Sequence, residues 1–129
     1  MKYMLLAYTD QDAWDAVDVT SPEFQAVCEF YAEIGKELTE SGELVATEGL
    51  AHPSLSRTVR RRDGRAVALD GPFAESKEVL VSFSILDCAG HDRAMEIAAR
   101  VVEAVGDTVE VRPIMDGPGS DGTGGDLHR

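Results

Sequence analysis

The chain has 129 residues and carries 24 acidic against 12 basic side chains, for a formal charge of -12. That length is one domain's worth, enough to bury a core without metal or disulfide staples. The negative charge repels phosphate backbones and anionic lipid, so nucleic acid and membranes are excluded as expected partners, and no apolar run approaches the ~20 residues of a membrane span.

Met1 to Tyr8 is too short and too quickly followed by acidic residues to be a signal peptide, which leads to a cytoplasmic expectation. Met1 to Thr9 is apolar at nearly every position and predicts a central strand buried on both faces. Asp10 to Thr20, with the single tryptophan Trp14, reads as a loop. Ser21-Pro22-Glu23 then supplies a hydroxyl N-cap, a proline at the first helical position and a carboxylate in the first turn. Phe24, Val27, Cys28, Tyr31, Ile34 and Leu38 recur at helical spacing, and Ser41-Gly42 ends the run, so a helix is predicted over residues 22–41.

Glu43 to Leu50 reads as a second strand, which His52-Pro53-Ser54 interrupts. Two extended runs flank Asp63-Gly64, a strong hairpin signal because both turn residues must reach positive φ. If those residues form the turn, Arg62 faces Arg65, Val59 faces Ala68 and Arg57 faces Asp70. Val79 to Leu86 alternates Val79, Val81, Phe83 and Ile85 against Leu80, Ser82, Ser84 and Leu86. Ala94, Ile97, Ala98, Val101, Val102 and Val105 mark a second helix over residues 92–105, closed by Gly106. In the last strand, Thr108 to Met115, Val109, Val111 and Met115 oppose Glu110, Arg112 and Ile114. Residues 117–129 hold five of the twelve glycines and read as a disordered tail beyond a domain spanning 1–116.

Two βαβ halves around an inserted hairpin predict an α+β, ferredoxin-like split βαβ fold. Helices then cover one sheet face. The other is expected to carry Met4, Leu6, Leu80 and Ile114 beside Ser82, Ser84, Glu110 and Arg112, or the reverse parity on the first strand. Such a face marks an interface, so a homodimer closing a dimeric α+β barrel is expected.

Cys28 and Cys88 match no metal or redox spacing and read as reduced, buried thiols. His52, His91 and His128 lack the spacing that places two imidazoles on one helix face, so no metal site is expected. Asp70, in Asp70-Gly71-Pro72-Phe73, is a turn cap and partner for Arg57 or else a catalytic carboxylate. Glu48, at a strand end, is a solvated carboxylate or a base raised by burial. His52 has the pKa range for proton transfer, and Lys77 is available to pair with Glu48, Asp70 or a ligand anion. Arg57, Arg60, Arg61, Arg62 and Arg65 reverse the global charge locally, as a guarded strand edge or as a dock for an acidic or phosphate-bearing partner.

Asp70-Gly71-Pro72-Phe73 followed by Ala74-Glu75-Ser76-Lys77-Glu78, together with Lys2 to Tyr8, Glu48-Gly49-Leu50, Thr58 to Arg65 and Val109 to Met115, resembles the DGPF branch of the YCII-related (YciI-like) proteins. The likeness runs from Met1 to about Asp116. It implies the dimeric ferredoxin-like fold, a largely uncharacterised function and no cofactor. Some members of the wider group resemble cofactor-free acid–base enzymes such as dehydrochlorinases, with a first-helix histidine and a nearby aspartate. That histidine position falls on Tyr31 here, a phenol that donates a hydrogen bond but is a poor base at neutral pH. Val81-Ser82 stands where the branch shows a Gly-rich pair, which narrows the implied cleft. The resemblance also implies association with an extracytoplasmic-function sigma factor. The leading expectation is a homodimer that binds or slowly transforms a small polar ligand by proton transfer in a cleft between helix and sheet, with Tyr31, Glu48 and Asp70 as its chemical groups and Arg57, His52 and Lys77 as ligand-binding residues. The alternative is a noncatalytic regulatory module.

Overall fold

The nearly continuous apolar run after Met1 folds as β1 (Lys2–Asp10), and it sits inside the sheet with a strand on either side. The structure, a computed structural model, describes residues 1–73 and 76–116. The predicted glycine-rich tail lies outside the described residues. After β1 come α1 (Gln11–Asp15), α2 (Pro22–Glu40), β2 (Leu44–Gly49), a single 3-10 turn (Pro53–Leu55), β3 (Arg57–Arg62), β4 (Arg65–Asp70), β5 (Glu78–Asp87), α3 (His91–Val105) and β6 (Thr108–Pro113).

Local chemistry explains the boundaries. The Phe24 amide donates to Ser21 Oγ at 3.1 Å, capping α2 as its sequence predicts. Gly106 takes φ 87° at the end of α3, a conformation that favours glycine and stops the helix. The loop expected over 10–20 contains α1, whose N-cap Asp10 accepts from the Ala13 amide at 3.1 Å. Five residues are too few to show a helical period, which is why the sequence pattern hides it.

The sheet order is β2-β5-β1-β6, every neighbouring pair antiparallel. This α+β arrangement, with βαβ halves interleaved, is consistent with a ferredoxin-like fold. Tyr3, Leu5 and Leu86 pack against Ile34 and Leu38 of α2 and Ala94, Ile97 and Val101 of α3, so both long helices lie on one face. Ion pairs stitch those helices together. Arg100 grips Glu37 through two hydrogen bonds of 2.7 and 3.0 Å, and Arg93 grips Glu43, just beyond α2, through two of 2.9 Å.

Face assignments depart from strict alternation. Ser82 pairs with Ala7 and Ser84 with Leu5, placing both serines under the helices, while Leu80 pairs with Tyr8 on the other face. A β-bulge at Val81 inserts one residue and flips the alternation, so Phe83 and Ile85 join Met4 and Leu6 on the uncovered face. The serines expected on the open face are therefore on the covered one. Glu110 and Arg112 do face the open side, opposite Leu6 and Met4. β1 is correspondingly half-buried, not fully buried, at Met4 and Leu6. Cys28 is exposed and Cys88 buried, both as free thiols, so the expectation of two buried cysteines holds for Cys88 alone.

The inserted hairpin forms its own two-stranded sheet. Its register is the predicted one, with Arg62 opposite Arg65, Val59 opposite Ala68 and Arg57 opposite Asp70. Asp63 (φ 49°) and Gly64 (φ 78°) take the left-handed conformations that the turn demands.

Candidate functional site

A cavity of about 380 Å3 opens between α2, α3 and the covered sheet face. Val27, Ile34, Leu38, Val101 and Val105 form its apolar side. The sheet side is polar: Thr47, Ser82 and Ser84 line it, the serines because of the Val81 bulge and Thr47 after a second irregularity between Leu44 and Ala46, with the Thr47 and Ser84 hydroxyls 2.9 Å apart. Gly35 lines the cavity from within α2, and a Cβ built there meets nothing within 4 Å. A mid-helix glycine costs roughly 0.5–1 kcal/mol relative to alanine, so its position here keeps the space open at some expense to the helix.

The cavity lining also holds ionisable chemistry. Asp107, the residue after the left-handed Gly106, lines it together with Tyr31. Burial raises the Asp107 carboxyl above the ordinary aspartate value, a hydrogen bond with Thr9 pulls it back, and the Glu78 charge adds to the rise. The Tyr31 phenol is raised as well, by burial first and by the negative charge of Asp107 second. The phenol is thus a hydrogen-bond donor at neutral pH, in the same cavity as a carboxyl raised above its ordinary value. Sequence reasoning missed Asp107, which reads as an ordinary turn residue after a helix stop. Only the packing of β6 beside β1 brings it to Tyr31.

The remaining predicted site residues are dispersed. Glu48 lies at the cavity rim, but it pairs with Phe83, and strand alternation turns its carboxylate to the uncovered face. Asp70 is 94% exposed and bonded to Arg57 Nε at 3.2 Å on the hairpin; neither residue lines the cavity, so Asp70 does not converge on Tyr31 within one chain. His52 and Lys77 line a second, open groove of about 980 Å3 between the hairpin base and the sheet. There the His52 ring is fully engaged. Nδ1 accepts from the Ser54 amide at 3.1 Å, which leaves the Nε2 proton for Asp15 Oδ1 at 2.7 Å, and Trp14 lies against the ring with centroids 5.3 Å apart. This clip ties α1 to the segment leading into the hairpin. The Lys77 carbonyl accepts from the Gln11 amide at 2.7 Å across the same groove.

Among the described residues, no three His, Cys, Asp or Glu side chains gather as metal ligands. No described helix is long and apolar enough to cross a membrane.

The profile of the YCII-related domain matches residues 1–117. An uncharacterized protein of Rhizobium meliloti (strain 1021) is 32% identical over 116 residues, covering 88% of this chain and 92% of the relative.

Proposed function

The chain belongs to the YCII-related family, and from that premise we propose a cytoplasmic homodimer that binds a small ligand in the helix–sheet cavity and transforms it by cofactor-free proton transfer. The observation that carries this reading is that Tyr31 and Asp107 line the same cavity, whose helix side is apolar. Asp107 takes the role of base, in place of Glu48 and of the candidate catalytic carboxylate Asp70, and Tyr31 donates a hydrogen bond to the ligand. Ser82, Ser84 and Thr47 orient the ligand's remaining polar atoms. Dimerisation through the uncovered face would place Glu48, Glu110 and Arg112 between two sheets, closing the barrel.

The test is a thermal-shift screen of small acids, lactones, quinones and amines. A ligand of this site stabilises the wild type and fails to stabilise Gly35→Leu, in which a helix-favouring side chain fills the cavity while circular dichroism shows the fold intact. A screen whose hits stabilise Gly35→Leu equally well removes the cavity from the reading.

A second reading, a regulatory module that docks an acidic protein such as an extracytoplasmic-function sigma factor, is favoured by one observation. Five arginines sit on an exposed hairpin, with the Arg60 guanidinium 5.6 Å from the centre of the Phe73 ring. Reversing Arg60 and Arg62 to glutamate abolishes pull-down of such a partner under that reading and leaves cavity ligands bound. Unchanged pull-down rejects the arm as the dock.

A further inference from the structure

We infer that the cavity takes a protonated amine on an apolar body the size of one ring, with its ammonium against Asp107; this rests on the ligand-site reading above and names the class of guest. A volume of about 380 Å3 accommodates a single ring with a short side arm, and the aliphatic wall of Val27, Ile34 and Val101 offers it dispersion contacts without polar partners.

Charge then selects the polar end. Among the described lining residues there is no lysine, arginine or histidine, so a carboxylate or phosphate entering the cavity would shed its hydration and meet no counter-ion. Asp107 is in the converse position. Among the described residues no basic group acts on it, and the charged neighbour that does, Glu78, has the same sign. A half-buried carboxylate beside a like charge is the environment that an ammonium relieves, through a charge-assisted hydrogen bond and through Coulomb attraction. The hydroxyls of Thr47, Ser82 and Ser84 donate and accept equally and so do not oppose this choice.

Three probes matched in shape and differing in charge separate the possibilities: phenethylamine, phenethyl alcohol and phenylacetate, measured by calorimetry on the full chain at neutral pH. The amine binds at least about tenfold more tightly than the carboxylate, with the alcohol between them. In Asp107→Asn, which keeps an acceptor for Thr9 and removes the charge, the amine loses its advantage over the alcohol while the alcohol still binds. Phenylacetate binding as tightly as the amine, or an amine preference that persists in Asp107→Asn, overturns the assignment; if Gly35→Leu still blocks binding, the cavity reading survives. Binding by none of the three overturns the cavity reading and this inference with it.

Discussion

The two faces of the central sheet are built against the usual order. Under the helices, where a uniformly apolar surface is the simple expectation, β2 and β5 present Thr47, Ser82 and Ser84 to an open space. On the face that neither α2 nor α3 covers, β1 and β5 present Met4, Leu6, Phe83 and Ile85, all half-buried. The first face keeps room and hydrogen-bonding capacity for a guest; the second keeps apolar area for another surface to cover. One inserted residue, Val81, produces the β5 side of the contrast, because without the bulge the serines and the large apolar side chains of β5 would exchange faces.

The sharpest way to break that contrast is to place a charge on the open face. Phe83→Asp is expected to turn the proposed dimer into a folded monomer, read by light scattering and circular dichroism, because the residue faces away from the helix-covered core. A dimer that survives this change does not use the face. Truncation measures the contrast in energy. Leu5, only 6% exposed and packed under both helices, should lose about 3 kcal/mol in the alanine variant by denaturant unfolding, at any protein concentration. Leu6→Ala, one residue along and on the other face, should show a smaller loss that grows with concentration, as an interface residue does. Equal, concentration-independent losses at the two positions erase the distinction.

Much of this molecule was legible in sequence because its signals are local. The Ser21-Pro22 start of α2, the Gly106 stop of α3 and the Asp63-Gly64 turn each act through the conformation of one or two residues. The turn then fixes the whole hairpin register, so Arg57 meets Asp70 as counted. The face of β5 was not legible in this way, since a bulge is set by how two strands accommodate each other and leaves no mark on a run of alternating residues. The candidate site failed for a related reason. Asp70 stands in the most distinctive tetrapeptide of the chain, whereas Asp107 stands in none, yet only Asp107 is carried to Tyr31 when β6 pairs with β1. Distinctive local chemistry identified a turn, and long-range pairing identified the carboxyl.

Smaller effects sharpen the covered side. Glu43, held by Arg93 and by Ser41 Oγ at 2.8 Å, has its carboxyl lowered from 4.5 to about 2, chiefly by the Arg93 hydrogen bonds and then by that from Ser41. A lowered carboxyl contributes its stability in full above the ordinary value and loses it as the pH falls towards about 2. Glu43→Gln should therefore cost about 1 kcal/mol at neutral pH, a partly solvated bidentate pair, and the gap from wild type should close on acidification. A gap that stays constant down to the acid limit assigns the loss to packing.

The smallest effect belongs to the hairpin. Arg57 and Asp70 form an ion pair 3.2 Å long, but at 67% and 94% exposure water screens it, and the ladder is held by its turn and its backbone hydrogen bonds. Asp70→Asn should leave the melting temperature unchanged within error, and it should leave cavity binding unchanged because Asp70 does not line the cavity of its own chain. If Asp70→Asn instead removes ligand stabilisation, the hairpin of one copy must reach the cavity of another, and arm and body form one site across the dimer. Mixing Asp70→Asn with Asp107→Asn protein would then decide the matter. Complementation restores one of the two sites in each mixed dimer only if the two aspartates act from different chains.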